Sequence, residues 1–493
     1  SPVIYMAGRL AFLSSRRSAA LARWVSLVAL AAAAFFLYRA GTEVISSGPI
    51  AASVGTIKLQ MDGLALLLAA TVLGLTFVVT VYSGTYMARE SGEEKFYALL
   101  TAMAGTIAGL GCAADLFNLW VWFEAMAITS FLLVAFYREQ KGSLEAGVKY
   151  LVQSAVGSGF VLIGIALVFG RTGTLDLQAV LAAVSATGPA PGLLAAGALF
   201  VIGFGVKTAL VPLHTWLPDA HSMAPSGISA MLSGVVIEAG LVAMLRSLGC
   251  LAPVAGTWGA LILAFAALNM IVGNLMALRQ TQVKRMLAYS SVSHMGYMLI
   301  GFGVAVGYGI NNGAAGGFFH LANHALMKGL AFLAVGALLY SLKIANGSHA
   351  PLVVEDLDGA ANRYPVTAFA LSVAVLALGG LPPLSGFMSK WQIFVAGFET
   401  RNTGVELLVV FAALNSVLSL AYYAPLVNRM YRNDPSPMVA AGKPVTFLLG
   451  APLVILTAAV LVLGFWPGLV DFITVPAAVN LVSIFAGVPL TAN

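Results

Sequence analysis

Charged side chains are scarce in this chain: Asp, Glu, Lys and Arg make up only 9% of its 493 residues, against about 25% in a soluble domain. That scarcity excludes a water-soluble globular protein, and the lack of any long hydrophilic tract leaves no room for a separate soluble domain. Cysteine is nearly missing. Cys112 and Cys250 are too few for a disulfide framework or a metal cluster, and both read as small apolar residues near helix ends. There is no CxxC pair and no GxGxxG opening a helix after a strand. The chain is therefore expected to bind no flavin, nicotinamide, haem, iron–sulfur cluster or other cofactor, and to hold no catalytic residue of its own. Ser1 to Phe12 lacks the charged start and cleavage site of a secretory signal. It reads as the tail of a first helix, with residues missing ahead of Ser1.

What is present is hydrophobic: 60% of residues, in runs near twenty residues that recur along the whole length. The fold class expected is an all-α polytopic membrane protein, one membrane domain over 1–493. About fourteen helices are predicted near 2–13 (short), 22–40, 62–85, 95–112, 116–137, 144–170, 191–213, 225–248, 256–278, 284–306, 312–342, 365–398 (broken), 404–430 and 445–466. A last apolar stretch, 468–490, reads either as a surface helix or as a fifteenth span.

The net charge of +6 is no nucleic-acid signal, because the basic residues sit at helix ends. Connections after odd-numbered helices hold Arg16, Arg17, Arg23, Arg89, Lys95, Arg138, Lys141, Arg279, Lys284, Arg285, Lys343, Arg363, Arg429, Arg432 and Lys443. Those after even-numbered helices hold only Lys58, Arg171, Arg246 and Arg401. The positive-inside rule makes the first set cytoplasmic and puts the N-terminus outside. The membrane expected is a prokaryotic cytoplasmic membrane.

Against this background five ionisable residues stand out, Glu124, Lys207, Glu238, Lys328 and Lys390, each in the middle of an apolar segment. Each costs roughly 2.5–3.5 kcal/mol at the centre of a membrane helix. Charges of both signs at that depth, on different helices, are the pattern of a buried proton relay. Glu124 lies among Trp120, Trp122 and Phe123; the competing reading is a structural hydrogen bond between helices. Lys207 precedes the break at Val211-Pro212-Leu213 by a few residues, and a Glu–Lys pair that opens and closes is a switchable proton site. Snorkelling suits lysines at helix ends, and Lys207 has long apolar runs before it. Lys390 follows a second break, Gly379-Gly380-Leu381-Pro382-Pro383. Proline inside a helix frees carbonyls, and in a membrane such breaks survive only where buried in protein or lining a wet cavity. Paired broken helices in two halves mark inverted-repeat transporters.

His320, His324 and Lys328 recur every four residues, which stacks them on one helix face. Two imidazoles and a lysine in line form a proton wire. Zinc is the competing ligand for the histidines, but a third ligand and any nearby cysteine are lacking. The wire is expected to join the two halves, running from Lys207 or Glu238 through His320 or His324 and Lys328 to Lys390. His294 is a weaker member that reads equally as a packing histidine. Lys284 and Arg285, at a helix start, read as topology anchors. His214, Asp219 and His221, clustered around Pro218, suit proton take-up or release on the outer face, or a polar turn.

These motifs together resemble the antiporter-like subunits shared by respiratory complex I, the membrane-bound hydrogenases and the multisubunit Mrp cation/proton antiporters. The resemblance is carried by the glutamate helix over 115–140, by VKTALVPLHTWLPDAHSMAPSGISAMLSG, and by KRMLAYSSVSHMGY, FFHLANHALMKGLAFL and LPPLSGFMSKW. It covers roughly 60–430 and implies fourteen core helices in two inverted five-helix repeats, placed at 95–248 and 256–430, each a proton half-channel. By resemblance Glu124 and Lys207 are the first-half pair, His320, His324 and Lys328 the central link, and Lys390 the terminal lysine. Family members usually carry a lysine where this chain has Glu238, a reversal of charge. By resemblance the chain is also expected to end near residue 493, without the long lateral helix that some members append. The function implied is H+ translocation, with Na+ left open, as a non-redox subunit beside other membrane subunits, including further antiporter-like ones, in a lipid bilayer. Two other readings stand: an Mrp-type exchanger driven by ion gradients, and a non-pumping scaffold of an inorganic-carbon uptake complex.

Overall fold

In a bilayer a backbone can satisfy its own hydrogen bonds only as helix or closed barrel, and the apolar runs fold accordingly. The computed structural model describes residues 17–488 except 56, 89 and 255. The expected helix at 2–13, Arg16 and Arg89 lie outside the described residues. The main helices are α1 (Arg17–Ser47), α2 (Gly63–Tyr86), α3 (Glu93–Gly111), α4 (Leu116–Val134), α5 (Lys141–Thr172), α6 (Leu177–Thr187), α7 (Pro191–Thr208) and α8 (Trp216–Met223). After them come α9 (Ser226–Gly249), α10 (Trp258–Leu278), α11 (Val283–Tyr308), α12 (Asn311–Leu342), α13 (Pro365–Gly379), α14 (Ser385–Glu399), α15 (Thr403–Arg432), α16 (Phe447–Phe465) and α17 (Asp471–Phe485). The protein is an all-α polytopic membrane protein. A short antiparallel hairpin, Ile50–Val54 with Ile57–Met61, is an addition that the apolar pattern did not signal.

Eleven helices among the described residues are long and apolar enough to cross a membrane. Beyond these, α3 and α11 are 19 and 26 residues long but more polar, and α13 and α14 are fifteen-residue halves of one broken segment. The last apolar stretch joins the bundle: Asn480 Oδ1 accepts the Gly63 N–H at 2.8 Å, and Ala477, Ala478 and Leu481 are buried. The innermost helices are α9, entirely buried over its apolar window, and α12, 89% buried over its own.

The two breaks fall at Ala209–Thr215 and Gly380–Leu384, where the prolines predicted them. At the first, Ala209 takes a left-handed conformation (φ 58°) and Asn269 of α10 serves the exposed backbone. Its Nδ2 donates to the Ala209 carbonyl at 3.0 Å and its Oδ1 accepts the Val211 N–H at 2.9 Å. Trp216 Nε1 donates to the Val206 carbonyl at 2.7 Å. At the second break the freed carbonyls go to functional candidates: Lys390 Nζ donates to Leu378 at 2.9 Å and Ser416 Oγ to Gly379 at 3.0 Å. These bonds tie both breaks to the helices around them. Close approach fixes their neighbours. A methyl group at Gly386 would collide with the Ala377 carbonyl, and one at Gly240 would stand 3.0 Å from Lys207 Cβ.

At the end of the bundle where α2 begins and α9 finishes, Asp62 caps α2 by accepting the Ala65 N–H. It also pairs with Arg246 of α9 at 2.7 Å, with side chains 0% and 5% exposed. Removing one partner strands a buried charge, so Arg246→Ala should lower stability by about 3–5 kcal/mol, read as a fall in the thermal midpoint of the purified protein. Asp62→Asn with Arg246→Met keeps the cap and removes both charges, and it should recover most of the loss. A double variant no more stable than Arg246→Ala would show that the ion pair itself is needed.

Candidate functional site

The three buried lysines of the sequence reading are enclosed, Lys207 and Lys328 at 0% exposure and Lys390 at 2%, and Lys284 joins them at 4%. Snorkelling is excluded by that burial. Lys207 ends α7, where the helix dipole favours a cation. Its Nζ donates to Tyr150 Oη at 2.9 Å and to Ser154 Oγ at 3.2 Å, both on α5. It sits over the Tyr150 ring at 4.3 Å, with Phe123 and Trp216 each at 5.8 Å. Such an aromatic cage replaces part of the lost hydration of an ammonium.

The expected Lys207–Glu124 contact is not made. The two charges interact through space, but no ion pair joins them among the described residues. The reason is the rotation of α4. Glu124 is half-buried on the stripe that carries the exposed Phe117, Val121, Ile128 and Leu132, and its Oε1 has no hydrogen-bond partner among the described residues.

Glu238 is fully buried, and it turns to α12 rather than to Lys207. Its Oε1 lies 2.8 Å from His324 Nδ1, both side chains being 0% exposed. A π turn, Leu232–Val236, precedes it. Such a turn admits one extra residue and re-aims the side chains after it. Glu238 Oε2 and His324 Nε2 have no partner among the described residues.

The histidines form one cluster across two helices. His294 of α11 stacks on His320 with ring centroids 5.2 Å apart and bonds it, Nδ1 to Nε2, at 3.0 Å. It also stands 5.2 Å from the His324 ring, whereas His320 and His324 are 6.4 Å apart. His294, the weaker member on sequence, is therefore the bridge. The outer nitrogen of His320 meets Ser389 Oγ at 2.8 Å, next to Lys390 in the chain. Lys390 Nζ also donates to Ser416 Oγ at 2.8 Å and lies over the Tyr297 ring at 4.3 Å. Lys328 is not in the direct line. Its Nζ donates to the Leu287 carbonyl at 2.8 Å and to Ser290 Oγ at 2.6 Å, and Ser290 in turn bonds Tyr423. The stripe thus divides, with the histidines facing Lys390 through Ser389 and Lys328 facing α15 through Ser290.

His221 is fully buried, stacked on Phe332 at 4.7 Å, and its Nε2 is 3.2 Å from Ser233 Oγ, which bonds Ser291 Oγ at 2.7 Å. His214 is buried beside Tyr289. Asp219 pairs with Arg285 at 2.5 Å and with Lys149 at 3.1 Å. These contacts tie the cluster to Lys149 and Arg285. Asp219 thus sits at the end of the bundle where Lys149 of α5 and Arg285 of α11 stand. Lys284 is likewise more than a topology anchor, for its Nζ donates to the Ala224 carbonyl at 2.5 Å in the interior. Sequence reasoning missed the hydroxyl partners Tyr150, Ser154, Ser290, Ser389, Ser416 and Tyr423. The serines of KRMLAYSSVSHMGY and SGFMSKW were visible in the motifs, but their partners lie on other helices. No group of three His, Cys, Asp or Glu side chains among the described residues is arranged to hold a metal ion.

Buried ionisable groups joined by hydroxyls can carry protons in either direction, with no chemistry at a substrate. A model of the family described as "NADH:quinone oxidoreductase/Mrp antiporter, TM" matches residues 113–419. One described as "NADH-Ubiquinone oxidoreductase (complex I), chain 5 N-terminus" matches residues 50–97. The chain is 32% identical over 466 residues to F(420)H(2) dehydrogenase subunit N of Methanosarcina mazei, covering 92% of each. It is 33% identical over 427 residues to NADH-quinone oxidoreductase subunit N of Rubrobacter xylanophilus, covering 86% of this chain and 84% of the relative. Its fold superposes with a TM-score of 0.85, at 28% identity, on a chain of the membrane-bound sulfane sulfur reductase, an archaeal respiratory membrane complex, over 99% of this chain and 96% of the other. The chain belongs to the antiporter-like membrane-subunit family that complex I and the Mrp antiporters share.

Proposed function

We propose that this chain is a proton-translocating subunit of a multisubunit, energy-converting membrane complex. H+ would move between Lys207 and Lys390 by way of Glu238, His324, His294 and His320, with Lys328 as a side store and Glu124 setting the field at the first end. The observation that carries the reading is the buried run Glu238–His324, His294–His320 and Ser389, whose members are in contact or in ring-stacking range and which ends at the residue before Lys390 in the chain. Residues 95–248 and 256–430 would supply one half-channel each. His214, Asp219 and His221 would handle protons on the basic side, taken as cytoplasmic, with the N-terminus outside. The relatives named above are subunits of larger dehydrogenases, which supports other membrane subunits as partners. Those partners would supply the redox energy, because one charge crossing 100 mV is worth about 2.3 kcal/mol and an ungated wire would dissipate it.

The test is proton uptake by the assembled complex in proteoliposomes, followed with an internal pH dye. The native complex should acidify the lumen until an uncoupler is added. His320→Asn keeps a polar side chain but removes the bridge from His294 to Ser389, and it should slow uptake about tenfold or more on the scale of general acid–base contributions. Uptake at the native rate would remove the histidines from the path, and no uptake by the native complex would leave a scaffold role.

A further inference from the structure

A second polar cluster lies outside that relay. On the basic side, a groove of about 1100 Å³ opens between α3, the end of α4 and the start of α5. Its apolar wall includes Leu132 and Leu144, both exposed, so it is open at the outer surface of the bundle. Its charged and titratable lining is Glu90, Lys95, Arg138, Glu139, Tyr137 and His349. Glu90 and His349 face each other at 3.6 Å, and the Tyr137 ring lies 4.8 Å from the imidazole.

From there hydroxyls lead inward. The buried Tyr137 hydroxyl has no protein partner among the described residues and interacts with Tyr86 and Tyr82; a buried hydroxyl of this kind is a donor in search of water. Tyr86 Oη bonds Ser226 Oγ at 3.1 Å. Ser226 starts a serine face of α9 that continues at Ser229 and Ser233. Ser229 Oγ donates to the His221 carbonyl at 3.2 Å, and Ser233 meets His221 Nε2. His221 Nδ1 is buried without a partner among the described residues, and His221 interacts electrostatically with Lys328. None of Glu90, His349, Tyr137, Tyr86 or Ser226 is needed by the relay itself, yet they line up as a seam of polar groups from the groove toward α9.

We propose that the groove is a proton-uptake port on the basic side, in which Glu90 and His349 exchange protons with water and Tyr137, Tyr86 and Ser226 pass them toward His221. Each hydroxyl accepts a proton on its lone pair as it releases its own, so no tyrosinate is formed and the chain resets by rotation of the O–H groups. Burial pushes the Glu90 carboxyl up from its ordinary range and His349 draws it back, which suits a group that must both capture and release protons. Lys95, Arg138 and Glu139 line the same rim.

The port rests on the relay reading, and the test separates the two. Proton uptake by the whole complex in proteoliposomes is measured from pH 6 to 8 for Glu90→Gln, Tyr86→Phe, Tyr340→Phe and Lys207→Ala. With fewer protons in bulk, local collection matters most at high pH. Glu90→Gln should therefore slow uptake about tenfold at pH 8 and less than about twofold at pH 6, within the range of electrostatic focusing effects. Tyr86→Phe, which removes one oxygen, should slow uptake at every pH. Tyr340, whose ring lies 6.0 Å from Tyr86, is outside the seam, and its Phe variant should match the native rate. Native rates for both Glu90→Gln and Tyr86→Phe, with Lys207→Ala inactive, would overturn the port and leave the relay intact. An active Lys207→Ala would overturn the relay instead. Equal slowing by Tyr340→Phe would reduce the Tyr86 effect to packing and overturn the seam. If Tyr86→Phe fails to assemble, Glu90→Gln, half-buried at the rim, decides alone.

Discussion

Lys207→Ala should abolish proton uptake while the complex still assembles. The ammonium is held by two neutral hydroxyls and an aromatic cage rather than by a carboxylate, so nothing in its shell is left as an unpaired charge when it goes. Tyr150 keeps its stacking on Trp216, centroids 3.9 Å apart, and the break at Ala209 keeps its bonds to Asn269. Loss of the buried methylenes costs on the order of 2–5 kcal/mol, as for other large-to-small core changes, which the packing around α7 can bear in an assembled complex. The first half then lacks its only fully buried cation among α4, α5 and α7, and Glu124 has no opposite charge facing it. Uptake should fall by about 10² or more, the size of a lost acid–base group. Native gels report assembly and the internal dye reports uptake. Near-native uptake by an assembled Lys207→Ala complex would take Lys207 out of the path.

Much of this was legible in the sequence for a simple reason. A charge inside an apolar run is expensive wherever the run ends up, so Lys207, Glu238, Lys328 and Lys390 could be read as interior without knowing their neighbours. Proline breaks were legible on the same ground, and both occur where Pro212 and Pro382-Pro383 stand. Pairings were not legible. Glu238 and His324 lie 86 residues apart, and a π turn with no sequence signature decides which way Glu238 points. His294 gained its bridging place from the packing of α11 on α12, which a lone histidine cannot announce. Glu124 shows the reverse case: its aromatic neighbours in sequence suggested an interior position, but helix periodicity puts Trp122 and Phe123 on other faces. The exposed stripe it shares with Val121 and Ile128 was readable from i, i+3 and i+4 spacing alone.

Glu238→Gln carries the second large expected effect. The glutamine keeps the length and one carbonyl oxygen, so it can still accept from His324 Nδ1–H, and α9 and α12 should stay packed. What it removes is the group able to carry a negative charge 2.8 Å from that imidazole. A proton arriving on His324 makes an imidazolium in a site with no water-exposed surface, and the carboxylate is its one counter-ion. Without it the charged state is uncompensated, at a cost of several kcal/mol for a buried ion. If only about 2.7 kcal/mol of that reaches the rate-limiting step, uptake falls about a hundredfold. The same logic makes the pair non-additive. His324→Gln alone strands the carboxylate, and Glu238→Gln alone strands the imidazolium. The double variant strands neither, so it should be no slower than the worse single one. Proton uptake measured for the three variants between pH 6 and 8 decides the matter. A native rate for Glu238→Gln across that range would make the carboxyl a hydrogen-bonding spacer. Strictly additive losses would place Glu238 and His324 in separate steps.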